Sequence, residues 1–219
     1  YCHSMTGSEK QAIQKRGPLI EPRSSQLALY GGAFDPVHRA HLAIAREALH
    51  CHEDAEVCFI PAAHSPLKQV GPVASDAQRL EMLARALNGE PRFLLDDLEI
   101  RRGGRSYTVE TVSAFAQAFP GVELFWIIGA DQFEQLDRWA QIDQLMAAVT
   151  FLVAGRPGHS LGEPPVPGLR YRKLDVSLMD LSSSEVRERC RAGSGISELV
   201  PEQIEAFISK HGLYSSDKD

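Results

Sequence analysis

Along this chain, apolar residues fall alternately in short continuous runs and at a three-to-four-residue spacing, which predicts buried strands alternating with amphipathic helices. Gln26–Tyr30 is a short apolar run leading into Gly31-Gly32, and between Ala40 and His50 the residues Leu42, Ala45, Ala48 and Leu49 recur at helical spacing. Glu56–Ile60 is a second apolar run, closed by Pro61. Ser75 and Gln78 have the spacing of a capping box, and Leu80, Leu83, Ala84 and Leu87 give the helix behind them an apolar face. Farther on, Arg92–Leu95, Glu123–Ile128, Thr150–Ala154 and Arg170–Asp175 are predicted strands, with Leu98–Ile100 a short additional one. Thr108–Phe119, Gln141–Ala147, Ser182–Ala192 and Pro201–His211 are predicted helices. The alternation implies an α/β fold: a doubly wound, Rossmann-like parallel sheet with helices on both faces, finished by C-terminal helices.

Ligands of such sheets bind beyond the carboxyl ends of the strands. Three segments follow predicted strand ends and are expected to converge on one rim: Gly31-Gly32, Gly129-Ala130-Asp131 and Gly155-Arg156. Arg156–Leu169, rich in Gly and Pro, is expected to be an exposed loop.

Composition narrows the function classes. The chain has 219 residues, 43% hydrophobic and 24% charged, enough for one substantial core, so 26–219 is expected to be a single domain. Residues 1–25 are polar, without apolar periodicity or a secretory leader pattern, and are expected to form a flexible extension. The net charge of −6 argues against a nucleic-acid or anionic-membrane binder, though it leaves room for a local anion site. Four scattered cysteines with no C-x-x-C pair fit reduced thiols and a cytoplasmic protein, and no apolar run is long enough to span a bilayer.

Two constellations carry chemistry. In Gly31-Gly32-Ala33-Phe34-Asp35-Pro36-Val37-His38-Arg39-Ala40-His41-Leu42, a glycine pair after a strand lets backbone amides approach a ligand, and the following helix start favours anions. His38 and His41, three apart, share one face and can donate to phosphate oxygens. Neither a Walker lysine nor a G-x-G-x-x-G run is present, which disfavours kinase-type and dinucleotide-cofactor readings. A zinc pair would need i,i+4 spacing and a third ligand, and two histidines at a helix start are otherwise ordinary surface residues. The second constellation is Leu181-Ser182-Ser183-Ser184-Glu185-Val186-Arg187: one serine is explained as an N-cap, but three with an arginine one turn on also make a polyphosphate clamp. The His50-Cys51-His52-Glu53 cluster is expected to be an exposed helix end, and Arg101-Arg102-Gly103-Gly104-Arg105 a solvated basic turn or a lid that meets phosphate.

Together the histidine motif, the Ser-Ser-Ser-x-Val-Arg motif and the Gly-Ala-Asp after a strand resemble the bacterial nicotinate mononucleotide adenylyltransferases. These belong to the nucleotidyltransferase superfamily with H-x-G-H and I-S-S-T-x-x-R signatures. The resemblance runs from Gln26 to Tyr214. It includes the spacing from Gly129 through Asp131 to Trp139, the stretch Ser106-Tyr107-Thr108-Val109-Glu110-Thr111 and the ending His211-Gly212-Leu213-Tyr214.

It implies attack of the acceptor phosphate on the α-phosphorus of ATP, with pyrophosphate leaving, no covalent enzyme intermediate, and Mg²⁺ arriving with ATP rather than in a protein cage. By the same likeness His38, His41 and Arg187 would be catalytic. Gly31, Gly32, Ala33, Phe34, Gly129, Asp131, Arg156, Ser182 and Ser183 would join them in binding ATP. Lys68, Thr108 and Trp139 would bind the acceptor, with Trp139 stacking on its ring and Asp131 taking a ribose. The chain departs from the family pattern at Ala40, where glycine is usual, at Ala33, where threonine is usual, and at Leu67 in place of a histidine. Two other readings stay open: a pantetheine-phosphate adenylyltransferase or cytidylyltransferase, whose chains are typically shorter and lack the segment from Gly129 to Trp139, and a nucleotide-binding regulator without catalysis.

Overall fold

The structure, a computed structural model, describes residues 20–64, 71–155, 161–176 and 181–215. Six parallel strands form one sheet: β1 (Gln26–Gly32), β2 (Glu56–Pro61), β3 (Phe93–Leu95), β4 (Glu123–Gly129), β5 (Thr150–Ala154) and β6 (Tyr171–Leu174), in the order β3-β2-β1-β4-β5-β6. The order reverses between β1 and β4, paired from Gln26 with Glu123 to Leu29 with Trp126. That junction is where a doubly wound sheet opens a crevice at its carboxyl edge.

Strand side chains alternate between two core layers, as a sheet covered on both faces requires. Ala28, Tyr30, Val57, Phe59, Phe125 and Ile127 point to one layer, under α1 (Arg39–Cys51), α2 (Asp76–Leu87), α7 (Ser183–Arg191) and α8 (Glu202–His211). Leu27, Leu29, Cys58, Ile60, Trp126 and Ile128 point to the other, under α4 (Thr108–Ala118) and α6 (Ile142–Ala148). The short helices α3 (Leu98–Arg102) and α5 (Ala130–Phe133) and a 3-10 turn at Leu136–Arg138 complete that side.

Several expectations are corrected. Leu98–Ile100 is helical: the Asp96 carboxylate accepts the Leu98 amide at 2.8 Å, Arg101 Nε reaches Asp97 at 2.5 Å, and Gly103, at φ 69°, ends the turn. The Ser75–Gln78 capping box forms, but the face of α2 is rotated, burying Arg79, Met82, Leu83, Ala86 and Leu87 and leaving Ala84 exposed. Those positions follow the i, i+3, i+4, i+7, i+8 stripe, with an arginine in an apolar place. His52 is buried against the Phe125 ring at 4.3 Å, with Arg172 Nη1 at 3.4 Å from its Nε2, while His50, Cys51 and Glu53 are exposed as expected. Residues 1–19 lie outside the described residues, but Ile20–Ser25 is docked: the amides of Arg23 and Ser24 donate to the buried Glu56 carboxylate at 2.6 and 3.2 Å, and Ile20 packs on the second layer. Of the expected loop, Leu161 and Val166 pack on the same layer and Leu169 is buried.

Candidate active site

The turn after β1 is fastened from four directions. Ala33 offers its carbonyl to the buried Arg79 guanidinium at 2.7 Å. Phe34 takes a positive φ of 47°, which costs a non-glycine residue on the order of 1–2 kcal/mol. Its fully buried ring, edge-on to Tyr30 at 5.5 Å, offsets that strain. The buried Asp35 carboxylate accepts the amides of Val73 (2.7 Å) and Ala74 (3.1 Å) and the Tyr214 hydroxyl (2.7 Å). Burial and the Asp35 charge both push the Tyr214 phenol up, so it stays a donor.

His38 caps α1 and its backbone N–H donates to His41 Nδ1 at 3.2 Å. An accepting Nδ1 assigns the His41 proton to Nε2. The two imidazoles stack with centroids 3.6 Å apart, and the His41 ring stands edge-on to Phe34 at 5.0 Å. His38 is buried, its Nδ1 has no hydrogen-bond partner among the described residues, and burial pushes its pKa down to about 4. His38 therefore acts as a neutral hydrogen-bonding ring at physiological pH, His41 presents its Nε2 as donor, and fixed positive charge comes from elsewhere.

It comes from α7. Ser183 Oγ donates to the Pro36 carbonyl at 2.9 Å, and Arg187 Nη1 donates to the Asp35 carbonyl at 2.7 Å, bringing the two sequence constellations into contact. Ser182 Oγ caps α7 by accepting the Glu185 amide at 3.2 Å, and Ser184 Oγ accepts from Arg187 Nη2 at 3.1 Å. Each serine has a structural task, and Ser184, one of the three hydroxyls of the clamp motif, orients the arginine.

Beside this corner, on the α4 side of the β1/β4 junction, lies a cavity of about 400 Å³. Gly31, Gly32, Trp126, Thr108, Trp139 and Gln132 are among its walls. A Cβ on Gly31 would meet the Trp126 indole at 2.7 Å, and one on Gly32 would meet the Phe34 ring at 3.0 Å. The glycine pair is therefore demanded by aromatic packing as well as suited to ligand approach. Trp139 is half-buried, edge-on to Phe151 at 6.5 Å, and its buried Nε1 has no partner among the described residues. Thr108 is the first residue of α4, whose N-cap is Tyr107. Volume, aromatic walls and a few convergent polar groups are those of a small-molecule site.

A family model described as cytidylyltransferase-like matches residues 29–189. A probable nicotinate-nucleotide adenylyltransferase of Halalkalibacterium halodurans is 39% identical over 194 residues, 88% of this chain and 93% of that protein. The nicotinate-nucleotide adenylyltransferase of Bacillus subtilis is 36% identical over 87% of this chain and 99% of its own. This chain belongs to the nicotinate-nucleotide adenylyltransferase family. The fold agrees: the Plasmodium falciparum nicotinic acid mononucleotide adenylyltransferase complexed with NaAD superposes with a TM-score of 0.72 at 18% identity, over 86% of this chain and 97% of that one.

Within this adenylyltransferase fold the predicted residues divide into groups. His38, His41, Ser182, Ser183 and Arg187 meet at the corner, and Gly31, Gly32, Ala33, Thr108 and Trp139 line the cavity. Phe34 is in the core, so only its backbone can meet a ligand. Gly129 and Asp131 stand at the end of β4, Asp131 exposed, while Gln132 from the same segment reaches the cavity wall and accepts the Gly129 amide at 3.2 Å. Arg156, Lys68 and Leu67 lie outside the described residues. The sequence reading missed Arg79, Trp126, Gln132 and Glu99 and assigned no role to Asp35 or Tyr214. Arg79 was detectable as a charge on an apolar helix stripe. Trp126, inside a continuous apolar run, was not. Among the described residues no three His, Cys, Asp or Glu side chains gather as a metal site, and no helix is long and apolar enough to cross a membrane.

Proposed function

We propose that this protein transfers the adenylyl group of ATP to nicotinate mononucleotide, releasing pyrophosphate and forming the deamidated dinucleotide of NAD biosynthesis. The supporting observation is the juxtaposition, at the β1/β4 junction, of a hydrogen-bonded basic corner and an aromatic-walled cavity. Relatives named nicotinate-nucleotide adenylyltransferase at 36% and 39% identity support the same chemistry.

In this account the triphosphate lies over the start of α1. His41 donates from Nε2 and His38 from its own ring, and both hydrogen bonds strengthen as charge builds on the α-phosphate in the transition state. Arg187, with the starts of α1 and α7, supplies the positive charge that receives the departing pyrophosphate, helped by Ser182 and Ser183. Mg²⁺ would arrive with ATP and neutralise charge on the triphosphate, so no protein cage is needed for it. Gly129 and Asp131 take the adenosine ribose, and Arg156 adds a cation on the ATP side. The acceptor ring stacks on Trp139 with its carboxylate at the Thr108 amide, and Lys68 meets the acceptor phosphate. Fixing both substrates makes the displacement effectively unimolecular, which needs no enzyme nucleophile. The free thiols of Cys51, Cys58 and Cys190 suit a cytoplasmic setting.

The test is pyrophosphate release from Mg-ATP with nicotinate mononucleotide, nicotinamide mononucleotide or phosphopantetheine in turn. The nicotinate acceptor should give the highest kcat/KM. No turnover with any acceptor would overturn the enzyme reading, and preference for phosphopantetheine would overturn the acceptor.

A further inference from the structure

A carboxylate, Glu99, lines the cavity that the reading above gives to an anionic acceptor, and it is 3% exposed. A bare carboxylate there would repel the ligand, so its hydrogen bonds matter. The Thr111 hydroxyl donates to Glu99 Oε1 at 2.6 Å, and the Ser106 hydroxyl lies beside the same carboxylate and favours its charged form. Ser106 Oγ in turn accepts the Ala63 amide at 3.0 Å, and the Ser106 amide donates to the His64 carbonyl at 2.8 Å. On the other side Arg102 Nη2 reaches Thr111 Oγ1 at 3.4 Å and Nη1 lies 3.4 Å from Glu110 Oε2. Glu99 thus accepts from the first turns of α4 and sits beside the basic turn 103–107, which is itself tied to the turn after β2 through Ala63 and His64. All three segments, through Ala62, Ser106, Tyr107 and Thr108, form cavity wall.

We infer that Glu99 is a positioning residue for the acceptor pocket, resting on the acceptor assignment above: by holding Thr111, with Ser106 beside it, it fixes where the start of α4 presents its amides to the acceptor ring. The carboxylate is turned to protein donors, and a cation, Arg102, lies just beyond Thr111. Burial also raises the Glu99 pKa, so the residue is less disposed to carry charge toward the cavity. A buried polar hub of this kind gives specificity only when its members are satisfied, and removing the acceptor strands the buried Thr111 hydroxyl. The basic turn then matters as a segment whose backbone is fixed at the cavity wall, more than as a free lid.

The experiment compares wild type, Glu99→Ala, Glu99→Gln and Ser106→Ala. It measures the KM of each substrate, kcat, and the quenching of tryptophan fluorescence by nicotinate mononucleotide without ATP, since Trp126 and Trp139 both line the cavity. For Glu99→Ala the acceptor KM and the fluorescence-derived Kd should rise about tenfold, with the ATP KM within about twofold. Glu99→Gln, which keeps the volume and one acceptor oxygen, should recover most of that loss. A merely structural residue would lower stability and active fraction, hence kcat, and leave the acceptor KM in place. A folded Glu99→Ala with unchanged acceptor KM, or with both KM values rising together, overturns the inference. Should Glu99→Ala fail to fold, Ser106→Ala decides: a selective rise in acceptor KM supports the inference and no rise overturns it. If wild type neither turns over nor binds nicotinate mononucleotide, the functional reading fails and this inference falls with it. Normal wild-type turnover with an indifferent Glu99→Ala overturns the inference alone.

Discussion

The corner around Asp35 and the cavity beside Trp126 share one edge of the sheet but are built in opposite ways. The corner is closed: Asp35, Pro36, His38, His41, Ser183 and Arg187 are linked by backbone and side-chain hydrogen bonds, with aromatic rings packed up to His41. The cavity is open, about 400 Å³, and shaped by glycines, two tryptophans and a helix start. A site whose task is to stabilise charge gains from donors fixed before the substrate arrives, because no reorganisation is then required at the moment of reaction. A site whose task is to choose a ring needs shape and a face to stack on. Damage to the corner should therefore appear in kcat, and damage to the cavity in the acceptor KM.

The largest effect is expected from His41→Ala, which removes a corner donor whose tautomer is already set. Its kcat should fall by about 10²–10³-fold while ATP binding, measured by equilibrium titration, changes far less. The reverse pattern would make His41 a ground-state ligand and dissolve the contrast. Next comes pH. His38 has its pKa depressed on folding, from the usual 6.5 to about 4, so the unfolded chain takes up that proton first. The stability this contributes is present above pH 6.5 and is lost as pH falls toward 4, by up to about 3 kcal/mol. Urea unfolding at several pH values should show a shallower slope over that window in His38→Gln. On the cavity side, Trp139→Ala should raise the acceptor KM about tenfold with kcat within about threefold, since loss of a stacked ring costs roughly 1–3 kcal/mol of binding. An equal fall in kcat would place Trp139 in the chemistry. The smallest effect is expected from Tyr214→Phe, which removes one donor from Asp35. It should cost about 1 kcal/mol in urea unfolding and raise the ATP KM only slightly, leaving the acceptor KM alone.

The same contrast explains what could be read from the chain. The corner was legible because its chemistry is local: His38 and His41 sit three apart, Ser182 to Arg187 is one helix start, and each pattern has a physical meaning by itself. Strand and helix existence was legible from periodicity, since a sheet covered on both faces requires continuous apolar runs between amphipathic helices. What escaped depends on tertiary partners. Gly31 looked like a phosphate-approach glycine, yet its Cβ position is taken by Trp126, a neighbour visible only once β1 and β4 are aligned. Asp35 lay inside the motif, but its role follows from Val73, Ala74 and Tyr214, which no spacing connects. Leu98–Ile100 had strand-like residues, and the Asp96 and Asp97 turn overrode them. His52 sat in a polar cluster, and the Phe125 ring buries it.

The measurement that tests the account most directly follows the α-phosphorus itself. One diastereomer of adenosine 5′-(1-thiotriphosphate) is incubated with the protein, Mg²⁺ and nicotinate mononucleotide, and the configuration at phosphorus in the dinucleotide product is determined. Direct attack by the acceptor phosphate, with the corner stabilising charge and no enzyme nucleophile, predicts an inverted centre. A retained configuration would mean an adenylylated enzyme intermediate and contradict the mechanism, and the absence of any dinucleotide would contradict the activity.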